Sequence, residues 1–270
     1  MTDRNYILGT HDAEIERLKL QHSVWRPRML DAWRRAGITQ GQAVIDLGCG
    51  PGYAAIELAE IVGSRGAVIA VERSARFLEA LRTTVVKRAL DNITTIEADI
   101  TEQSVGEGIA DAVWCRWVFS WLTQPERAVA SLAAALKPGG IAVFHEYLNY
   151  ASWQLAPPSS AFARFVAAVY ESVHNTGSQM DAGLTLPTLL ENQGFEIVTL
   201  TPIVDVVSPS NYVWQWPAAF IRGYHGKLVE QGLITQDYAI QVLTLLDQAE
   251  RSGTARMVTP TVLEIVARRR

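Results

Sequence analysis

The chain is poor in the features that announce several protein classes. It has only two cysteines, Cys49 and Cys115, in 270 residues. Both sit in apolar surroundings, which argues against a disulfide framework or a cysteine metal cluster. No apolar run approaches the ~20 residues needed to span a bilayer. The opening segment MTDRNYILGTHDAE lacks an apolar core like that of a signal peptide. There is no excess of positive charge: the net charge is −4 and the pI about 5.8. A broad attraction to nucleic acid or to an anionic membrane is therefore not expected. The run Arg268-Arg269-Arg270 reads as a solvated chain end. No internal repeat, low-complexity tract or convincing linker breaks the chain, and a metal site is not suggested. The cytoplasm is the default expectation, and a homodimer is left open.

What is present is a core-forming composition, 49% hydrophobic and 19% charged. Residues 11–36 read as a helix ending at Gly37, with Pro27 inside it, where it would kink or split the helix. Strands then alternate with helices over short connections. Strands are expected at 43–47, 67–71, 93–97, 111–115 and 141–146, and helices at 53–62, 74–89 and 124–136, with a turn at 138–140. This alternation argues for an α/β fold, a doubly wound parallel sheet with helices on both faces. Beyond it, 161–174, 186–193 and 210–252 look helical. Residues 195–207 and 256–267 look like strands, with Pro260 at an edge or bulge. The chain is read as a single domain, with 149–183 and 208–254 as helical cap insertions and 1–36 as a helical lid.

In a sheet of this kind ligands bind beyond the carboxyl ends of the strands. The first strand ends in Val44-Ile45-Asp46-Leu47-Gly48-Cys49-Gly50-Pro51-Gly52. Glycines allow positive φ and close approach of a ligand to the backbone. The segment is not a P-loop, because no Gly-Lys-Ser/Thr follows, and it does not match G-x-G-x-x-G. Pro51 removes one backbone donor that a pyrophosphate would need, and Asp46 would repel it. A cationic or hydroxyl-bearing ligand suits the loop better.

The segment closely resembles the first motif of class I S-adenosylmethionine-dependent methyltransferases. Glu72, at the end of the second strand, is similar to the family's acid for the ribose hydroxyls, with Arg73 beside it. Asp99 and Ile100 are similar to the pair that meets the adenine amino group and packs on the ring. The resemblance covers residues 40–147 well and implies a mostly parallel seven-stranded sheet with an antiparallel last strand. It implies S-adenosyl-L-methionine as cofactor, bound by Asp46, Gly48, Cys49, Gly50, Gly52, Glu72, Arg73, Asp99 and Ile100. Arg116 is expected near the methionine end, a structural salt bridge being the alternative. Gln21 is the candidate for the methionine carboxylate, and Tyr6, His22 and Trp25 are the other lid residues to watch.

On the acceptor side, Trp117, Phe119 and Trp121 follow the fourth strand and could face the sulfonium. His145, Glu146 and Tyr147 form the candidate catalytic cluster, with alternation placing His145 and Tyr147 opposite Glu146. Trp153 and His174 are substrate candidates in the first cap insertion. The aromatics of 153–174 and 214–224 point to an apolar, aromatic or terpenoid-like acceptor. Three functions follow: methyl transfer to O, N or C of a small molecule; a cyclisation or rearrangement that retains the cofactor; or non-catalytic binding. The Asn/Asp-Pro-Pro-Tyr pattern of DNA amino-methyltransferases is missing.

Overall fold

A computed structural model of the chain describes residues 9–270. Tyr6, and with it the start of the expected lid, lies outside the described residues.

The first helix, α1 (Asp12–Ala36), starts where the His11 ring accepts the Glu14 N–H and ends at Gly37, which takes the left-handed conformation at φ 81°. Pro27 does not split it. Proline removes the donor for one carbonyl in the preceding turn, and helix continues on both sides. Then follow β1 (Ala43–Leu47), α2 (Tyr53–Val62), β2 (Ala67–Glu72), α3 (Ala75–Arg88), β3 (Ile93–Glu97), β4 (Ala110–Arg116), α4 (Pro125–Ala135) and β5 (Leu136–Asn149). The expected turn at 138–140 is instead an irregular start to β5, where the register against β4 shifts between Ala110 and Ala112. The remainder is β6 (Gln154–Ala156), α5 (Ser160–His174), α6 (Leu186–Asn192), β7 (Phe195–Ile203), β8 (Val206–Val207), α7 (Gln215–Glu230), α8 (Gln236–Ser252), β9 (Arg256–Val258) and β10 (Thr261–Arg269).

Seven strands form one sheet in the order β3-β2-β1-β4-β5-β10-β7. β1 to β5 are parallel, and β10 runs antiparallel between β5 and β7. The chain thus has the doubly wound, mostly parallel sheet with an antiparallel last strand. The strand expected over 256–267 is two strands, because Pro260 has no N–H for a ladder. On one side of it β9 joins β6 and β8 in a small second sheet, and on the other β10 enters the main sheet.

Three apolar clusters follow from the patterning. α2, α3 and the C-terminal half of α1 cover one face of the sheet through Met29, Trp33, Ala55, Leu58 and Leu81. α4 and α6 cover the other through Val129, Leu132, Leu186 and Leu190. The third joins α5, α7, α8 and Trp25 of α1 to Trp117 and Tyr147, so a helical layer rich in aromatics sits beyond the carboxyl ends of β4 and β5. Among the described residues no helix is long and apolar enough to cross a membrane, and no cluster of His, Cys, Asp or Glu could hold a metal ion.

Candidate functional site at the carboxyl ends of the parallel strands

The loop after β1 turns on three glycines with positive φ: Gly48 at 62°, Gly50 at 53° and Gly52 at 85°. Two are glycines for packing reasons as well. A Cβ on Gly48 would come within 2.3 Å of Val118, and one on Gly52 within 2.2 Å of Leu81. A Cβ on Gly50 would meet only open space. The loop is pinned by the Cys49 N–H, which donates to the Val71 carbonyl at 3.0 Å. Burial pushes the Cys49 thiol well up, so it stays protonated and inert.

Carboxylates stand around this loop. Glu72 accepts the Gly50 N–H at 3.1 Å and the Ser74 N–H at 2.9 Å, which ties the end of β2 to the loop. Burial raises its pKa, and these donors and neighbouring Arg73, itself exposed, pull it back. Asp99 is half-buried and accepts both the N–H and the hydroxyl of Thr101 through Oδ1, at 2.9 and 2.6 Å, with Ile100 buried beside it. Asp46 is 2% exposed, and its Oδ2 has no donor. Burial pushes its pKa up to about 7, opposed by the charge of Arg116 and helped by that of Glu72.

Arg116 ends β4 and supplies the opposite charge. It forms no ion pair with any described residue, so the structural salt bridge is not found. Its Nη2 lies 3.5 Å from His22 Nδ1 and its Nη1 4.0 Å from Met29 Sδ, both neutral partners. Its guanidinium carbon is 5.3 Å from the Trp117 ring centre and 5.9 Å from that of Trp114. Burial pushes its pKa down to about 10, though the charges of Asp46 and Glu57 resist this. Gln21 is turned elsewhere: its Oε1 accepts Arg17 Nη1 at 2.9 Å, in a ladder that Glu14 completes on the same helix.

Trp117 follows Arg116 with φ 53°, a left-handed backbone that a large side chain adopts only under constraint. The constraint is Glu146. Its Oε1 accepts the N–H groups of Val118 and Phe119 at 2.8 and 2.9 Å, and its Oε2 accepts that of Ser120 at 3.3 Å and lies 2.9 Å from the Ser120 hydroxyl. The Trp117 ring then stacks on Tyr147 at 5.6 Å and on Trp216 at 5.4 Å, with Trp25 edge-on at 5.0 Å. Tyr150 and Trp153 continue the aromatic series. The indole N–H groups of Trp25, Trp117 and Trp153 are buried without an acceptor.

The structure therefore brings the glycine loop, Asp46, Glu72 and Arg116 to one end of the sheet, beside Trp117 and Tyr147. It sets others apart. His145 has no exposure; its Nε2 lies 3.2 Å from Glu264 and its ring between Trp25 and Trp114. His174 is exposed and lines a surface hollow of about 120 Å³ that contains none of the loop residues. Trp121 is half-buried against the helical layer. Glu57 and Glu264 were missed by sequence reasoning. Glu264 carried a signal, a lone acid within Val262-Leu263-Glu264-Ile265-Val266, which marks a buried pair; Glu57 carried none.

These residues fit S-adenosylmethionine. A buried carboxyl with one oxygen unmet and a part-buried guanidinium without a carboxylate partner among the described residues, at the ends of the adjacent strands β1 and β4, match the two charges of an amino acid, beside a bare-backbone loop with room at Gly50. Residues 44–140 match the methyltransferase domain family. A ubiquinone/menaquinone biosynthesis C-methyltransferase of Photorhabdus laumondii is 25% identical over 196 residues, covering 67% of this chain and 75% of that protein. Phosphoethanolamine N-methyltransferase 2 of Haemonchus contortus, solved with S-adenosyl-L-methionine, has a TM-score of 0.56 at 16% identity, covering 93% of this chain and 56% of that one. The [4+2]-cyclase SpnF has a TM-score of 0.56 at 18% identity, covering 90% of this chain and 80% of that one. With these matches, residues 44–140 resemble a methyltransferase domain, and the chain has the fold of S-adenosylmethionine-dependent methyltransferases.

Proposed function

We propose that the chain is a methyltransferase that acts on an oxygen, nitrogen or carbon of a small apolar or aromatic molecule held beneath the helical layer. Within that reading Glu72 takes the ribose hydroxyls, Asp99 and Ile100 the adenine, Asp46 the ammonium group and Arg116 the carboxylate. The observation that carries it is Asp46, buried with one carboxyl oxygen that meets no donor, near Arg116, part-buried with no carboxylate within ion-pair distance among the described residues. Isolated buried charges are costly, and a zwitterionic ligand relieves both at once. When bound, the cofactor supplies a methyl group already activated by its sulfonium.

The chain's own work is then positioning and exclusion of water. The aromatic cluster around Trp117, whose loop Glu146 fixes, offers surroundings that tolerate the sulfonium charge. Of the three candidate catalytic groups, His145 is sealed and Glu146 is occupied with backbone N–H groups. Tyr147 has no hydrogen-bond partner among the described residues, and burial raises its pKa. It stays a phenol and serves as a hydrogen-bond donor, so the acceptor must arrive already nucleophilic, as a phenol, enol or amine. The unmatched indole donors favour an acceptor that carries ring oxygens. The C-methyltransferase relatives make quinone-type rings the first class to try.

Incubation with methyl-labelled S-adenosylmethionine and a panel of quinols, phenols and amines tests this. Label in a product with release of S-adenosylhomocysteine is expected. Turnover with the cofactor unspent would replace the proposal with a cofactor-retaining rearrangement. Binding of S-adenosylhomocysteine without any turnover would replace it with a non-catalytic binder.

A further inference from the structure

Arg116 is guided by neutral groups, and the principal one is His22 on α1. The ring is 7% exposed. Its Nε2 lies 3.1 Å from Glu57 Oε1 on α2, and its Nδ1 lies 3.5 Å from Arg116 Nη2. These two neighbours assign the tautomer. A proton on Nε2 is donated to Glu57, and the lone pair on Nδ1 faces the guanidinium. The other groups around the ring are Arg26, which also donates to Glu57 Oε1 at 2.6 Å, and Tyr53, whose ring centre is 5.7 Å away. Three elements meet here: α1, the helix that leaves the glycine loop, and the end of β4.

We propose that His22 is a positioning residue, a neutral imidazole that aims the Arg116 guanidinium without neutralising it and so reserves its charge for the carboxylate of the cofactor. The inference rests on the cofactor reading above. The chemistry explains why a histidine serves. A carboxylate at this place would pair with Arg116 and compete with the ligand. An apolar side chain would leave a long cation free to turn away. The neutral imidazole orients it with a lone pair alone. Burial lowers the His22 pKa, with Arg116 and Arg26 acting in the same direction against Glu57, so the ring remains neutral near pH 7. Protonation at low pH would turn an N–H toward Arg116 and oppose it.

The test compares two ligands by titration calorimetry. S-adenosylhomocysteine carries the amino-acid tail, and 5′-methylthioadenosine is the same thioether nucleoside without it. His22→Phe is expected to weaken S-adenosylhomocysteine at least about tenfold and leave methylthioadenosine within about twofold. His22→Asn, whose side-chain oxygen can stand where Nδ1 stood, is expected to recover most of the loss. In an Arg116→Met background, His22→Phe should have no further effect on either ligand. Equal weakening of both ligands would show that α1 has merely been displaced and would overturn the proposal, as would unchanged affinity or no recovery by asparagine. Failure of the unsubstituted protein to bind either ligand would instead overturn the cofactor reading, and the proposal with it.

Discussion

At the scale of single residues, the glycine loop separates two demands that one motif combines. All three glycines need a left-handed backbone, so alanine at any of them costs ~1–2 kcal/mol from that alone. Gly48 and Gly52 are also pressed against Val118 and Leu81, which adds ~1–3 kcal/mol of overpacking. Urea unfolding should therefore rank Gly48→Ala and Gly52→Ala as more destabilising than Gly50→Ala, and an equal loss at all three would refute the packing argument. Asp46 makes a second prediction. Its pKa rises from 3.8 to about 7 in the fold. A carboxyl raised in this way holds its proton more tightly folded than unfolded. It costs nothing below the unfolded value, costs more as pH climbs between the two, and levels off above the folded one. The unfolding midpoint of the ligand-free protein should fall across that window, and Asp46→Asn should remove part of the fall. Glu146, also pushed up to about 7 by burial, and Glu72 and Asp181, both raised by burial, act in the same direction. An unchanged pH slope in Asp46→Asn would count against the burial of an unpaired acid.

At the scale of elements, β5 shows where sequence reasoning runs out. Alternation along His145-Glu146-Tyr147 was legible, because a strand sends successive side chains to opposite faces. Their tasks were not, because the partners lie far away in the chain: Glu264 is 119 residues from His145, and the N–H groups that Glu146 accepts come from 26 to 28 residues earlier. The acids at the strand ends were legible for the opposite reason, since a regular strand–helix repeat sets their spacing. That Arg116 lacks a carboxylate partner is a property of the assembled neighbourhood and leaves no mark in the local sequence. Pro260 did leave one, yet only the fold shows that the chain changes sheets there. Glu146 supports the loop that carries Trp117. Glu146→Ala would leave buried backbone donors unmet at ~1–3 kcal/mol each, a large share of a typical domain's stability. A clear fall in melting temperature and loss of near-ultraviolet circular dichroism from the Trp117 stack are expected. Full retention of both signals would show that the loop holds itself.

At the scale of the whole molecule, α1 is where the parts are coupled. Its middle contributes Val24 and Trp25 to the aromatic layer, and the turns beyond contribute Met29 and Trp33 to the cluster under the sheet. Ion pairs fasten it at intervals: Arg26 to Glu57, Arg28 to Asp205 and Arg35 to Glu264, at 2.6, 2.7 and 2.8 Å. All three arginines are partly exposed, and such pairs hold a helix weakly. A ligand that engages Arg116 is linked through His22 to the same helix, so it should slow the local opening of α1 more than that of a remote element. Hydrogen exchange with and without S-adenosylhomocysteine measures this. Slowing is expected in 12–36, 44–55 and 114–121, with little change in the β7–β10 pairing at the far edge of the sheet. Uniform slowing across the chain would mean that the ligand stabilises the fold as one unit. In that case α1 would not be the element through which the cofactor end and the aromatic layer respond to each other, because a helix that opens only with the whole protein transmits nothing of its own.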